Sequence, residues 1–254
     1  MKPVQVRNTI IGEGMPKIIV PLVGISDLEL MDEVRAVIAL RPDIIEWRVD
    51  QYSHVDDMQA VHNILKTLRN EIKDIPLLFT FRSYQEGGKK KITSSYYKEL
   101  NEFAVQSQLV DLIDLELFTT NNILSYLIGK AKLFGITVIM SNHDFKATPS
   151  REEIIARLQR MQEFDADILK IAVMPNSEAD VLTLLQATNM MKTKYAERPL
   201  ITMSMAKMGI FSRLAGELAG SSATFASGVS ASAPGQIPIA ELRTILENIH
   251  QYMR

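Results

Sequence analysis

The sequence predicts an α/β protein built as one closed barrel of eight β-α units, written (β/α)8. Three observations predict it. Eight short apolar runs recur at intervals of two to three dozen residues. Most are continuous rather than alternating, as parallel strands covered on both faces require. Helix-like segments separate them, so the strands are joined by right-handed crossovers. An open doubly wound sheet would share this alternation. Eight units in 254 residues favour closure, because such barrels run to about 250 residues.

The first sixteen residues precede the first unit. Val4–Val6 and Thr9–Ile11, separated by Arg7-Asn8, predict a short β-hairpin closing the barrel bottom. The strands are expected over Lys17–Gly24, Ile44–Asp50, Pro76–Arg82, Leu112–Leu117, Thr137–Asp144, Ile168–Met174, Pro199–Met205 and Ser222–Val229. Asp56–Ile72 carries Val61, Ile64, Leu65 and Leu68 at helical spacing. Thr148-Pro149-Ser150-Arg151-Glu152-Glu153 reads as a helix start with threonine as N-cap and proline in the first turn. Ser177–Lys194 and Pro238–Tyr252 are further helices. No Pro/Gly/Ser-rich linker divides the chain, so residues 1–254 read as a single TIM-barrel domain.

Bulk properties narrow the function. Net charge is −2 and no basic stripe is present, so nothing points to nucleic acid. The absence of cysteine excludes disulfides, thiolate metal sites and a cysteine nucleophile. No run of 18 apolar residues offers a membrane span, and the N-terminus lacks the apolar core of a signal peptide. A cytoplasmic location is the simplest expectation.

In such a barrel the active site lies at the C-terminal ends of the strands. The sixth run, Ile168-Leu169-Lys170-Ile171-Ala172-Val173-Met174, holds a lysine among apolar residues. Lysine is almost never buried unless paired or used. Desolvation disfavours its charged form, and a neutral amine can attack a carbonyl to form a Schiff base. A paired structural lysine is the alternative. Glu46, Arg48 and Asp50 share one face of the second strand. Glu46, Arg48 and Glu116 could equally form ion pairs inside the barrel.

His143 closes the fifth strand, and its side-chain type suits proton transfer near neutral pH. His54, His62 and His250 fall on helices or loops and read as surface residues. Met203, Met205 and Met208 either simply pack or, with Phe225, wall off Lys170 from water. Ser232 and Gln236 lie in a small-residue loop, as a plain turn or as hydrogen-bonding groups. Arg48, Arg82 and Arg213 converge on the strand ends. Such cations are tolerated when acidic residues or an anionic ligand neutralise them. No phosphate loop is present, which favours a carboxylate ligand.

A Schiff-base lysine beside a histidine, with arginines for an acid, suggests carbonyl chemistry on a keto acid without metal or organic cofactor; where a hydroxyl lies β to the carbonyl, the enamine can expel it as water. A class I aldolase-type reaction and a non-catalytic acid sensor remain alternatives. Asp114-Leu115-Glu116-Leu117, then twenty residues, then Val138-Ile139-Met140-Ser141-Asn142-His143-Asp144 resembles the signature of the type I 3-dehydroquinate dehydratases. Lys170-Ile171-Ala172-Val173-Met174-Pro175, Glu46-Trp47-Arg48, Phe79–Ser83, Glu86-Gly87-Gly88, Met203–Met205 and Ser232–Gln236 match as well. The resemblance spans nearly the whole chain. It implies conversion of 3-dehydroquinate to 3-dehydroshikimate in the shikimate pathway to aromatic amino acids, and a homodimer. It further implies Lys170 as imine former, His143 as acid/base and Glu86 as its partner. Glu46, Trp47, Arg48, Arg82, Arg213, Ser232 and Gln236 are implied as substrate-binding residues, with Arg213 on the carboxylate. One departure stands out: Pro21 replaces a serine that some family members carry on the first strand.

Overall fold

A computed structural model describes residues 1–229 and 235–253. Strands β1 (Val4–Val6) and β2 (Thr9–Ile11) form an antiparallel hairpin. Eight parallel strands follow: β3 (Lys17–Leu22), β4 (Ile44–Arg48), β5 (Leu77–Thr80), β6 (Leu112–Glu116), β7 (Thr137–Asp144), β8 (Ile168–Val173), β9 (Leu200–Ser204) and β10 (Ala223–Phe225). They pair in the order β10-β3-β4-β5-β6-β7-β8-β9. The seam between β9 and β10 is held by a Leu200–Ser221 bridge and by the Ser222 amide on the Leu200 carbonyl. The sheet is therefore nearly closed, and the expected barrel is present.

Alternation along each strand sorts side chains into two layers. Outward residues such as Val20, Ile45, Phe79, Val138 and Leu169 pack under the helices. Inward residues Ile19, Ile44, Leu78, Leu112, Ile139, Ile168 and Ile201 form an apolar floor, joined from below by Val6 and Ile11 of the hairpin. One pleat higher the inward positions turn polar: Glu46, Thr80, Asp114, Ser141 and Lys170, all buried. The apolar floor excludes water from below, so chemistry is confined to the top.

The helices α1 (Asp27–Ala39), α2 (Met58–Ile72), α3 (Ser94–Ser107), α4 (Asn121–Leu133), α5 (Arg151–Glu163), α6 (Glu178–Met190), two short helices α7 (Ile210–Leu214) and α8 (Gly216–Ala219), and α9 (Ile239–Tyr252) cover the sheet. The start of α5 differs from expectation. Ser150, not Thr148, is the N-cap, its Oγ accepting from the Glu153 amide, while the Thr148 hydroxyl donates to the Met174 carbonyl. The segment expected as one helix to Lys194 ends at Met190 and continues as a π-helical turn, Met191–Tyr195.

The last strand is shorter than Ser222–Val229. Past Phe225 the chain turns outward, and Ser227 exchanges backbone hydrogen bonds with Ile237 and Ile239 instead. Pro21 sits beside Glu46 in the β3–β4 register. The β10 ladder has ended by then at Ile19, so a missing N–H costs no ladder bond on that side.

Candidate active site

A cavity of about 210 Å³ opens at the C-terminal end of the barrel. Lys170 projects into it from the middle of β8 and is 3% exposed. It is buried but not bare. Its Nζ donates to Asp114 Oδ2 at 3.1 Å, lies 3.8 Å from Glu46 Oε1, and sits 4.6 Å from the Phe225 ring centre. The apolar surroundings expected for it are supplied on one side only, by Ala172, Met203, Met205 and Phe225.

Asp114 is the hub that sequence reasoning did not single out. Oδ1 accepts from Arg82 Nη2 at 2.7 Å and from the Ser141 hydroxyl at 2.6 Å. Burial opposes its ionisation, but the Arg82 and Lys170 charges and these hydrogen bonds bring its pKa down to about 2. The available signal was its place at an inward position of an apolar strand, in register with Thr80. Arg82 is also held by Glu116 Oε1 at 2.8 Å and Ser141 Oγ at 3.0 Å. Burial works against its charge, but Asp114, Glu116, Glu86 and Glu46 more than compensate and hold its pKa well above the usual value.

On the neighbouring strand β7, two residues beyond the partner of Lys170, His143 Nδ1 lies 2.9 Å from Glu86 Oε2. Glu86 comes from a short turn, Tyr84–Glu86, capped by the Ser83 hydroxyl on the Glu86 amide. Gly87 follows with φ +87°, and a Cβ there would lie 2.3 Å from the Phe145 ring. Only glycine lets Glu86 turn inward under that ring. Burial, then the nearby Glu116, raise Glu86 to about 8. Burial and the charges of Arg82, Lys170 and Arg48 push His143 well below 6.5. Both directions disfavour a full ion pair, so the imidazole is neutral near neutral pH.

The three arginines separate by partner. Arg48 is paired with Asp50 through two hydrogen bonds of 2.7 and 2.9 Å. Arg82 is saturated by the carboxylates already described. Arg213, 2% exposed, has no carboxylate within ion-pair distance among the described residues. Its Nη1 reaches only the Phe225 carbonyl and the Met203 sulfur, and burial alone lowers its pKa to about 10. Gly209 allows this placement: a Cβ there would meet the Ser204 carbonyl at 2.1 Å, so glycine lets α7 fold back onto β9.

The expected site residues Glu46, Arg48, Arg82, Glu86, His143, Lys170, Met203, Met205, Arg213, Phe225 and Gln236 all line this one cavity. Ser232 lies outside the described residues. A profile of the Type I 3-dehydroquinase family matches residues 18–253.

The chain belongs to that family.

A 3-dehydroquinate dehydratase of Bacillus velezensis is 53% identical over 253 residues, covering 100% of both chains. One from Salmonella typhimurium is 53% identical over 251 residues, covering 99% of this chain and 100% of its own. The crystal structure of the type I 3-dehydroquinate dehydratase from Clostridium difficile, with covalently modified comenic acid, shares 50% identity. It superposes with a TM-score of 0.97 over 99% of each chain.

One expectation is corrected. Trp47 is not at the cavity. The pleat turns it to the opposite face from Glu46 and Arg48, where it is fully buried edge-to-face against Tyr52 and Phe79 at 5.9 and 5.7 Å. Gln51, Lys89 and Phe145 line the cavity without having been anticipated. Gln51 ends a short 3-10 turn after β4, and Lys89 and Phe145 lie in loops after strand ends, where no periodicity marks orientation. Of the histidines read as surface residues, His54 is exposed, but His62 packs edge-on to Phe103 and His250 binds Glu217 at 2.6 Å.

Proposed function

We propose that this protein dehydrates 3-dehydroquinate to 3-dehydroshikimate through an imine on Lys170. The observation that carries the reading is one cavity faced by an amine, an imidazole and a guanidinium that has no carboxylate partner among the described residues. Arg213 takes the substrate carboxylate, which neutralises its buried charge. In this reading Glu46, Arg48 and Gln236, which line the same cavity, receive the ring hydroxyls.

Lys170 in its neutral form attacks the ring ketone, and loss of water gives an iminium. That cation stands where the ammonium stood, so Asp114 and Glu46 stabilise both. The positive nitrogen draws electrons from the adjacent carbon. His143 removes a proton there, and the C–H pair moves in to form an enamine. The enamine then expels the β-hydroxyl, which leaves as water with a proton from His143. Water finally hydrolyses the product imine and frees Lys170. One proton carrier serving both steps gives a syn elimination. The Clostridium difficile relative, described with covalently modified comenic acid, supports covalent chemistry in this family.

Borohydride added with 3-dehydroquinate should trap an adduct on Lys170, located by mass spectrometry of peptides. An adduct elsewhere, or none despite turnover, removes the imine from the mechanism. Absence of the conjugated enone absorbance with wild-type protein removes the activity itself. Family resemblance further supports a cytoplasmic homodimer serving aromatic amino acid biosynthesis; sedimentation of the purified chain tests the dimer.

A further inference from the structure

Glu86 is gripped from outside the cavity as well as from within. His143 points into the barrel, but its neighbour Asn142 points out toward the helices, in the alternation of β7. Asn142 Nδ2 nevertheless reaches round to Glu86 Oε1 at 3.1 Å. Its Oδ1 accepts from Arg157 Nη1 of α5 at 2.9 Å. The direction of this chain is not free. A guanidinium can only donate, so the amide oxygen must face Arg157 and the amide N–H must face Glu86. Glu86 Oε1 is thereby committed as an acceptor. Its Oε2 already accepts the His143 backbone amide at 2.9 Å and faces Arg82 Nη1 at 3.5 Å.

Hydrogen bonds donated to both oxygens favour the carboxylate form of Glu86, and against that carboxylate the imidazole supplies the hydrogen between Nδ1 and Oε2. Nε2, which has no partner among the described residues, is then left with its lone pair toward the cavity. Burial works the other way. A protonated Glu86 would donate to Nδ1 and force the hydrogen onto Nε2, where it would block the base.

We propose that Arg157, on the outer side of the sheet, is a positioning residue that fixes the base-competent tautomer of His143 through Asn142 and Glu86. This rests on His143 being the proton carrier of the reaction proposed above. The charges that face the pair from the barrel are Arg82, Lys170, Arg48, Asp114 and Glu116. From the helix side Asp144 and Glu153 face Arg157 itself, at 3.6 and 2.7 Å. None of these other groups touches Asn142 Oδ1, so Arg157 alone sets the amide's direction among the described residues.

Arg157→Met removes the donor without touching the cavity. Asn142 is then free to turn its oxygen to Glu86, which favours a protonated Glu86. With 3-dehydroquinate as substrate, kcat should fall about tenfold with KM nearly unchanged. The acidic limb of kcat/KM should move up by about half a pH unit or more, because a higher pH is needed to recover the carboxylate. Arg157→Lys, which keeps a donor, should restore most of both. A pH profile superimposable on wild type overturns the proposal whatever happens to kcat, since a merely structural loss lowers the rate without moving the limb. Should Arg157→Met fail to fold, ¹⁵N NMR of the His143 ring in the wild-type protein decides. Hydrogen on Nδ1 supports the chain of donors, and hydrogen on Nε2 refutes it. That measurement needs no turnover, so it stands apart from any failure of the dehydratase assignment.

Discussion

A buried arginine with no carboxylate partner among the described residues is costly to the fold. Arg213→Met should therefore raise stability by about 1–3 kcal/mol in urea denaturation, by removing an unpaired buried charge. The same variant should raise KM for 3-dehydroquinate at least tenfold, as about 1.4 kcal/mol of lost ion pairing dictates. Asp114 behaves in the opposite sense. Its folded pKa of about 2 lies below the free value of 3.8, so the stability it contributes is present above pH 3.8 and is lost as pH falls toward 2. Asp114→Asn should cost about 3–5 kcal/mol at pH 7, because Arg82 and Lys170 lose a buried partner. That gap should narrow by about 2 kcal/mol once wild type is itself protonated near pH 2. A gap that is flat with pH would show that Asp114 is not the ionised hub. At this scale Lys170 and His143 were legible because each is the wrong residue type for an apolar strand. Trp47 was misplaced because it is contiguous in sequence with Glu46 and Arg48, yet the pleat sends alternate residues to opposite faces. Asp114 was overlooked because its partners come from just past β5 and from β7 and β8, which no local pattern connects.

Among the elements, the hairpin has a defined task. Val6 and Ile11 are packed into the inner barrel cluster and complete its floor. Ile11→Ala should cost about 2–5 kcal/mol in denaturant unfolding, as a buried truncation leaves a cavity. It should leave kcat within about twofold, since the floor residue Ile168 lies one pleat below Lys170 and the damage sits further down still. A large loss of kcat would mean that the floor positions the site directly. The hairpin was readable from two short apolar triplets around Arg7-Asn8, and the structure returns the same boundaries. Helix starts were less readable. Thr148 and Ser150 are both competent caps, and the choice fell to Ser150 because Thr148 is drawn away by the Met174 carbonyl beyond β8. Local sequence offers the candidates, and a partner distant in sequence selects between them.

For the whole molecule, the barrel is strongest where its registers are long and weakest at its seam. β7 and β8 pair over six residues, whereas β9 and β10 are joined by the bridge at Leu200. Hydrogen exchange followed by mass spectrometry should find Ser221–Phe225 less protected than Ile168–Val173, because local opening starts where fewest backbone bonds must break. Equal protection would mean that the seam is covered as firmly as the rest. The sequence by itself determined the number of strands, their parallel character and the hairpin, because burial leaves a periodic trace in residue type, whereas Glu86, Ser232 and Gln236 were assigned to the site only through the family resemblance. It also announced that cations would converge at one end. Only the tertiary structure decided which of them are free. Among the described residues Arg82 is neutralised by carboxylates and Arg213 is not, and this follows from distances across strands that carry no mark in local order. The same holds for Lys170, whose chemistry is set by Asp114, 56 positions away in the chain. Electrostatic energy depends on separation in space, and closing the barrel is what brings those charges together.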